Sequence, residues 1–133
     1  MKKQIIAFAL CLTFLVIFVT PPNALAYTNT VSATTGLVIS GTTATCTAMI
    51  VGQSGITKIE GILTIKRKNS NGTYSEVASW TSTTTSSLTL IMSKTYTLTP
   101  GNYYYVALIS KCSRASNTST ETLVKTTAEI YCG

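Results

Sequence analysis

The stretch Thr57-Lys58-Ile59-Glu60-Gly61-Ile62-Leu63-Thr64-Ile65-Lys66-Arg67-Lys68-Asn69-Ser70-Asn71-Gly72-Thr73-Tyr74-Ser75-Glu76-Val77-Ala78-Ser79-Trp80-Thr81 decides the fold class. In its first half Ile59, Gly61, Leu63 and Ile65 alternate with Glu60, Thr64, Lys66 and Lys68. This period of two puts one set of side chains in a core and the other in water. Asn71-Gly72 then supplies residues that tolerate positive φ, so the run from Thr73 to Thr81 is expected to return antiparallel as a β-hairpin.

Outward from this hairpin the same period recurs. Upstream lie Val31 to Ser40, ended by Gly41, and Thr43 to Val51, with Ala44, Cys46, Ala48 and Ile50 on one face. Downstream, a Ser/Thr-rich loop around Ser82 to Ser87 leads to Leu88–Leu98, Pro100-Gly101 marks a turn, and Asn102–Lys111 follows. A polar loop, Ser113 to Ser119, precedes a last strand of about Thr120 to Tyr131. Thr is the commonest residue and Val, Ile and Tyr are frequent, side chains that lose χ1 freedom in a helix and pack well on a pleated surface. Seven short strands punctuated by turns predict an all-β fold, a two-layer antiparallel immunoglobulin-like sandwich, with a small barrel as the alternative. Gly101-Asn102-Tyr103 is similar to the turn that opens the penultimate strand of such sandwiches, where a tyrosine hydroxyl ties the corner to backbone. Tyr105 stands where a cysteine is usual, and the pattern also reads as an ordinary turn before a β-favouring aromatic.

The N-terminus is written differently. Lys2 and Lys3 precede an apolar run from Ile5 to Val19, then Pro21-Pro22 and the small-residue site Ala24-Leu25-Ala26. This is the plan of a helical secretory signal cleaved after Ala26, and the run is short for a bilayer-spanning helix. Residues 1–26 are therefore expected to be a signal peptide, with Cys11 removed alongside it. Residues 27–133 are expected to form one secreted, extracellular sandwich domain with no membrane span after cleavage. That domain has eight basic residues against Glu60, Glu76, Glu121 and Glu129, a net charge of +4 that suits weak attraction to an anionic envelope.

Ala44-Thr45-Cys46-Thr47-Ala48, Gly55-Ile56-Thr57-Lys58-Ile59, Val77-Ala78-Ser79-Trp80, Ser93-Lys94-Thr95-Tyr96 and Gly101-Asn102-Tyr103 together cover most of this domain. In these motifs the chain resembles a group of small secreted immunoglobulin-like proteins of unknown function from Gram-positive bacteria. The resemblance implies secretion and a sandwich, and it brings no catalytic residue with it.

Chemistry is sparse. The chain has no His and no Asp, and its four Glu of the mature domain are scattered, so general acid–base work has few candidates and Glu on strand faces reads as solvated charge. A nucleophilic serine would lack a base, since Ser93-Lys94 are adjacent and no Ser-x-x-Lys spacing occurs. Three cysteines without His or a Cys-x-x-Cys pair do not make a zinc site, and no phosphate-binding glycine loop is present. No enzyme activity and no cofactor are expected. Lys66-Arg67-Lys68 and Tyr103-Tyr104-Tyr105 have the residue types of single-strand nucleic-acid binding, but export and the position of the basic run just before the Asn71-Gly72 turn favour a charged hairpin end, so no nucleic acid is expected. Two functions remain. One is a secreted, non-catalytic binding or structural module contacting a cell-envelope component, a protein or a second copy. The other is a small secreted toxin or antimicrobial factor.

Three residue-level expectations follow. Exported cysteines usually oxidise, and strand order favours a Cys46–Cys132 disulfide with Cys112 left at the far end, worth roughly 4 kcal/mol of loop-closure entropy. Trp80 is expected in the core beside Val77. The run Tyr103 to Ile109 is apolar at every position, so something should cover both of its faces. With Tyr103, Tyr105, Ala107 and Ile109 inward, an outward interaction face of Ile62, Tyr104, Val106, Leu108, Leu123 and Tyr131 is expected.

Overall fold

The computed structural model describes residues 27–115 and 120–133, so the expected signal peptide, 1–26, lies outside the described residues. The strands are β1 (Thr30–Ser40), β2 (Thr43–Gly52), β3 (Lys58–Lys68), β4 (Tyr74–Thr84), β5 (Thr89–Thr97), β6 (Asn102–Ser113), β7 (Thr120–Thr126) and β8 (Ile130–Cys132). They form two antiparallel sheets. One has the order β1-β2-β5, and the other β4-β3-β6-β7 with β8 also pairing with β6. The all-β reading and the alternation of inner and outer positions are thus present, with eight strands among the described residues where seven were expected.

The extra strand comes from an interruption in the last one. Thr127 donates its backbone N–H to the Val106 carbonyl at 2.9 Å while its hydroxyl accepts from the Val106 N–H at 3.0 Å. A side chain thus replaces one rung of the ladder, the chain bends, and pairing resumes at Ile130 opposite Tyr104. The β3–β4 turn also differs in detail from its sequence signature. Only Gly72 adopts positive φ, at 82°, while Gly72 N–H bonds the Asn69 carbonyl and the Asn71 side chain accepts from Thr73.

The sheets press together through the alternating sets named by the sequence: Ala44, Cys46, Ala48 and Ile50 from β2, Ile59, Leu63 and Ile65 from β3, and Leu90 and Met92 from β5 are all buried. Gly61 lets the sheets approach closely, since a Cβ there would stand 2.9 Å from Met92 Sδ and 3.0 Å from Ile50 Cδ1. Trp80, opposite Leu63, is half-buried against this core and meets Tyr96 edge-on at 6.3 Å.

Two expectations are corrected here. The first is the face of β6: Tyr104, Val106 and Leu108 are buried in the core, and Tyr103, Tyr105, Ala107 and Ile109 alternate to the outer side. The cause is Tyr104, whose hydroxyl donates to the Thr99 carbonyl at 2.8 Å and accepts the Thr99 N–H at 3.1 Å. The corner tyrosine is therefore one residue later than the Gly-x-Tyr pattern suggests, and that residue sets the parity of the whole strand. The second is the disulfide. Cys46, Cys112 and Cys132 are buried and free. Cys46 sits mid-strand between Leu37 and Lys94, and Cys132 turns its sulfur to the Gly41 carbonyl at 3.7 Å. Burial pushes the Cys46 thiol up to about 11.

Candidate functional site

The two outer faces of the sandwich are chemically unlike. On the β1-β2-β5 sheet, the outward positions include Thr34, Gly36, Val38, Thr45, Thr47, Met49, Ile91, Ser93 and Thr95, none of them charged. A shallow groove crosses this face where Gly36 leaves space beside Thr47.

The outer face of the other sheet carries the charges and most of the exposed rings. The end of this face away from the β3–β4 turn holds an ion cluster, with Glu60 3.2 Å from Lys111 and 4.0 Å from Lys58. Next come Ile62 and Ile109, paired in register and half-buried, and then the Thr64 hydroxyl bonded to Ser79 at 3.0 Å. Beyond them, at the end nearest the β3–β4 turn, four tyrosines converge. Tyr103 pairs in register with Tyr131 of β8, their ring centroids 5.1 Å apart and tilted by 52°. Tyr105 meets Tyr74 of β4 edge to face, at 4.9 Å and 86°. Tyr103 is 48% exposed and Tyr131 53%, so each residue is about half open to solvent.

Local chain geometry builds this cluster. Ile65 pairs with Ala78 but Lys66 pairs with Glu76, so Val77 is an extra residue, a β-bulge. On its far side Ala78 and Trp80 share the inner face. On its near side Glu76 and Tyr74 face outward opposite Lys66 and Lys68. Without the bulge, strict alternation would put Tyr74 on the same side as Trp80. Arg67 pairs with Tyr104, which sets Lys68 beside Tyr103 and puts Tyr74, Lys68, Tyr103 and Tyr131 in one row across four strands.

A polar contact braces the row. Lys68 Nζ lies 3.2 Å from Glu129 Oε2, and the Tyr74 hydroxyl donates to Glu129 Oε1. The Tyr74 hydroxyl and the Lys68 ammonium hold the Glu129 carboxyl below the usual carboxylate range, and Glu129 in turn raises both partners above theirs. The four glutamates thus have separate surroundings: Glu60 in its lysine cluster, Glu76 opposite Lys66, Glu129 in this brace, and Glu121 accepting from the Thr28 and Asn29 N–H groups.

Of the six residues expected to form an interaction face, Ile62 and Tyr131 lie on this outer side. Tyr104, Val106 and Leu108 are core, and Leu123 is half-buried against it. The residue types singled out for nucleic-acid binding do meet, since Lys66 pairs with Tyr105, but they do so among carboxylates. Tyr74 and Glu129 were missed. No signal in the local sequence marks either, because both depend on the bulge and on the break between β7 and β8.

No family model matches the chain, and no curated protein matches it. Solved structures similar to it at low identity include the following. The solution structure of R. palustris CsgH is 14% identical, with 70% of this chain and 88% of that one covered and a TM-score of 0.40. The sporulation control protein Spo0M of Bacillus subtilis is 13% identical at a TM-score of 0.38. The match covers 75% of this chain and about half of that protein, 48%. A protein from Archaeoglobus fulgidus is 14% identical, with coverages of 77% and 96% and a TM-score of 0.36.

Proposed function

We propose that the protein is an exported, non-catalytic binding module with an immunoglobulin-like sandwich, and that the tyrosine row on the outer side of the β4-β3-β6 sheet is its binding surface, directed at a component of the cell envelope. The convergence of Tyr74, Tyr103, Tyr105 and Tyr131 carries this reading, because exposed aromatic area gathered on one rigid sheet face is costly unless it meets a partner. The sheet order and the Tyr104–Thr99 corner support the immunoglobulin-like assignment. The positive charge of the domain and the signal-like N-terminus support action outside the cell.

Co-sedimentation of the purified protein with isolated cell walls tests the reading. The protein is expected in the pellet, and the double variant Tyr103→Ala/Tyr131→Ala is expected mostly in the supernatant. A protein that stays soluble, or pellets equally well without the two tyrosines, would sink the proposal. Killing of neighbouring cells by soluble, non-pelleting protein would put a secreted toxin in its place.

A further inference from the structure

The ligand class of this surface follows from its charges, and the inference rests on the tyrosine row being a binding site. We propose that the row takes a single uncharged sugar chain, whose ring faces stack on Tyr103 and Tyr131 and whose hydroxyls reach the polar groups around them.

Half-exposed tyrosines select a ligand with flat apolar faces and a polar edge, since the electron-rich face of the ring attracts positively polarised C–H groups and the hydroxyl bonds at the rim. Sugar rings and nucleobases both fit that description. The local charges decide between them. Lys68 is tied to Glu129 at 3.2 Å, and Lys66 stands opposite Glu76. Arg67, paired with Tyr104, belongs to the opposite side of β3. The face beside the tyrosines therefore carries as many carboxylates as ammonium groups. A chain with one phosphate per unit needs a surplus of cations along its track, and this track has none. An uncharged chain loses nothing there. It gains the Tyr103, Tyr105 and Tyr131 hydroxyls, which have no protein partner among the described residues, and the Lys68–Glu129 pair as donor and acceptor.

Shape narrows the class further. Interplanar angles of 52° and 86° give a row of tilted rings, which a flat crystalline polymer surface cannot cover evenly, whereas a single chain can turn from ring to ring. The row from Tyr74 to Tyr131 crosses three strand spacings, about 14 Å, the length of a short oligosaccharide.

Titrations of the full-chain protein with chitohexaose and cellohexaose, followed by NMR shifts of the tyrosine ring protons, test this, with polyglycerol phosphate and oligothymidylate as charged competitors. At least one neutral chain is expected to bind with an affinity that does not change up to roughly 0.5 M salt. Tyr103→Ala and Tyr131→Ala should each weaken it about tenfold or more, with the fold unchanged by circular dichroism. Salt-sensitive binding of a charged polymer alone, at the same tyrosines, would overturn the sugar assignment and leave the binding surface standing. Cell-wall binding that needs the tyrosines but no affinity for either neutral chain would do the same. Sugar binding indifferent to both substitutions would overturn the sugar inference and the binding surface together.

Discussion

The Tyr104 hydroxyl bonds both polar groups of the Thr99 backbone, donating to its carbonyl at 2.8 Å and accepting its N–H at 3.1 Å. One phenol thus fastens the segment entering β6 and fixes which way that strand faces. Tyr104→Phe keeps the buried ring and leaves both Thr99 groups without this partner. The expected cost is about 1–3 kcal/mol, read as a lower urea midpoint with an unchanged m-value. A midpoint equal to the wild type would show that the corner contributes nothing.

Gly61 is the second point of leverage. A methyl group there meets Met92 Sδ, Ile50 Cδ1 and Leu90 Cδ2 within 3.2 Å, on the side of β3 that faces the other sheet. Gly61→Ala is expected to destabilise by roughly 1–3 kcal/mol through overpacking, although alanine is no worse a strand former than glycine. Pairing it with Met92→Ala should recover part of the loss in a double-mutant cycle, because the added and removed groups share one space. Strictly additive losses would refute the packing explanation.

The cysteines give a direct chemical readout. Cys46, Cys112 and Cys132 are buried thiols, and desolvation disfavours the Cys46 thiolate that a disulfide reagent requires. Native protein is expected to react slowly or not at all with an aromatic disulfide reagent, and denatured protein to react at all three positions without prior reduction. Reaction of only one of these three after unfolding would demonstrate a disulfide.

The Glu129 brace should titrate at both ends of the pH scale. Glu129 is depressed, so its contribution is present above the ordinary glutamate value and is lost as pH falls through the lower, folded value. Lys68 and Tyr74 are raised, so their contributions are present below their ordinary values and are lost as pH rises through the folded ones. The Tyr74 ring resonances are expected to shift in acid together with the Glu129 side-chain carboxyl, and Glu129→Gln should abolish that acid step. An acid step that survives the substitution would assign it to another group.

Much of this architecture could be read from residues alone, because β2 and β3 alternate cleanly and Gly41, Gly52 and Gly72 punctuate them. The direction of β6 could not. Every residue from Tyr103 to Ile109 is apolar, so period-two logic fits either parity equally, and only the reach of the Tyr104 hydroxyl to Thr99 decides. The tyrosine row is half legible for the same reason: alternation with Tyr104 outward leaves Tyr131 on the surface but turns Tyr103 and Tyr105 into the core. Tyr74 was hidden more deeply. Its side of the sheet depends on one surplus residue in β4 that leaves no mark in hydropathy, since Val77 and Ala78 are both small and apolar. The free thiols were hidden too, because sequence gives strand order but not the direction of a sulfur.

The bulge at Val77 also separates two kinds of inheritance within a single strand. Ala78 and Trp80 on one side are turned to the core, whereas Tyr74 and Glu76 on the other meet only groups of the outer face, Tyr105, Glu129 and Lys66. Substitutions in the outer half can therefore accumulate without disturbing the inner half, and the same scaffold can be redirected to new partners at little risk to folding. Deleting that one residue would restore strict alternation yet leave Glu76 opposite Lys66 and Tyr74 opposite Lys68, so both would still face outward. The outer face thus tolerates loss of the extra position, whereas a strand that kept every residue but paired without the bulge would turn Tyr74 toward the core.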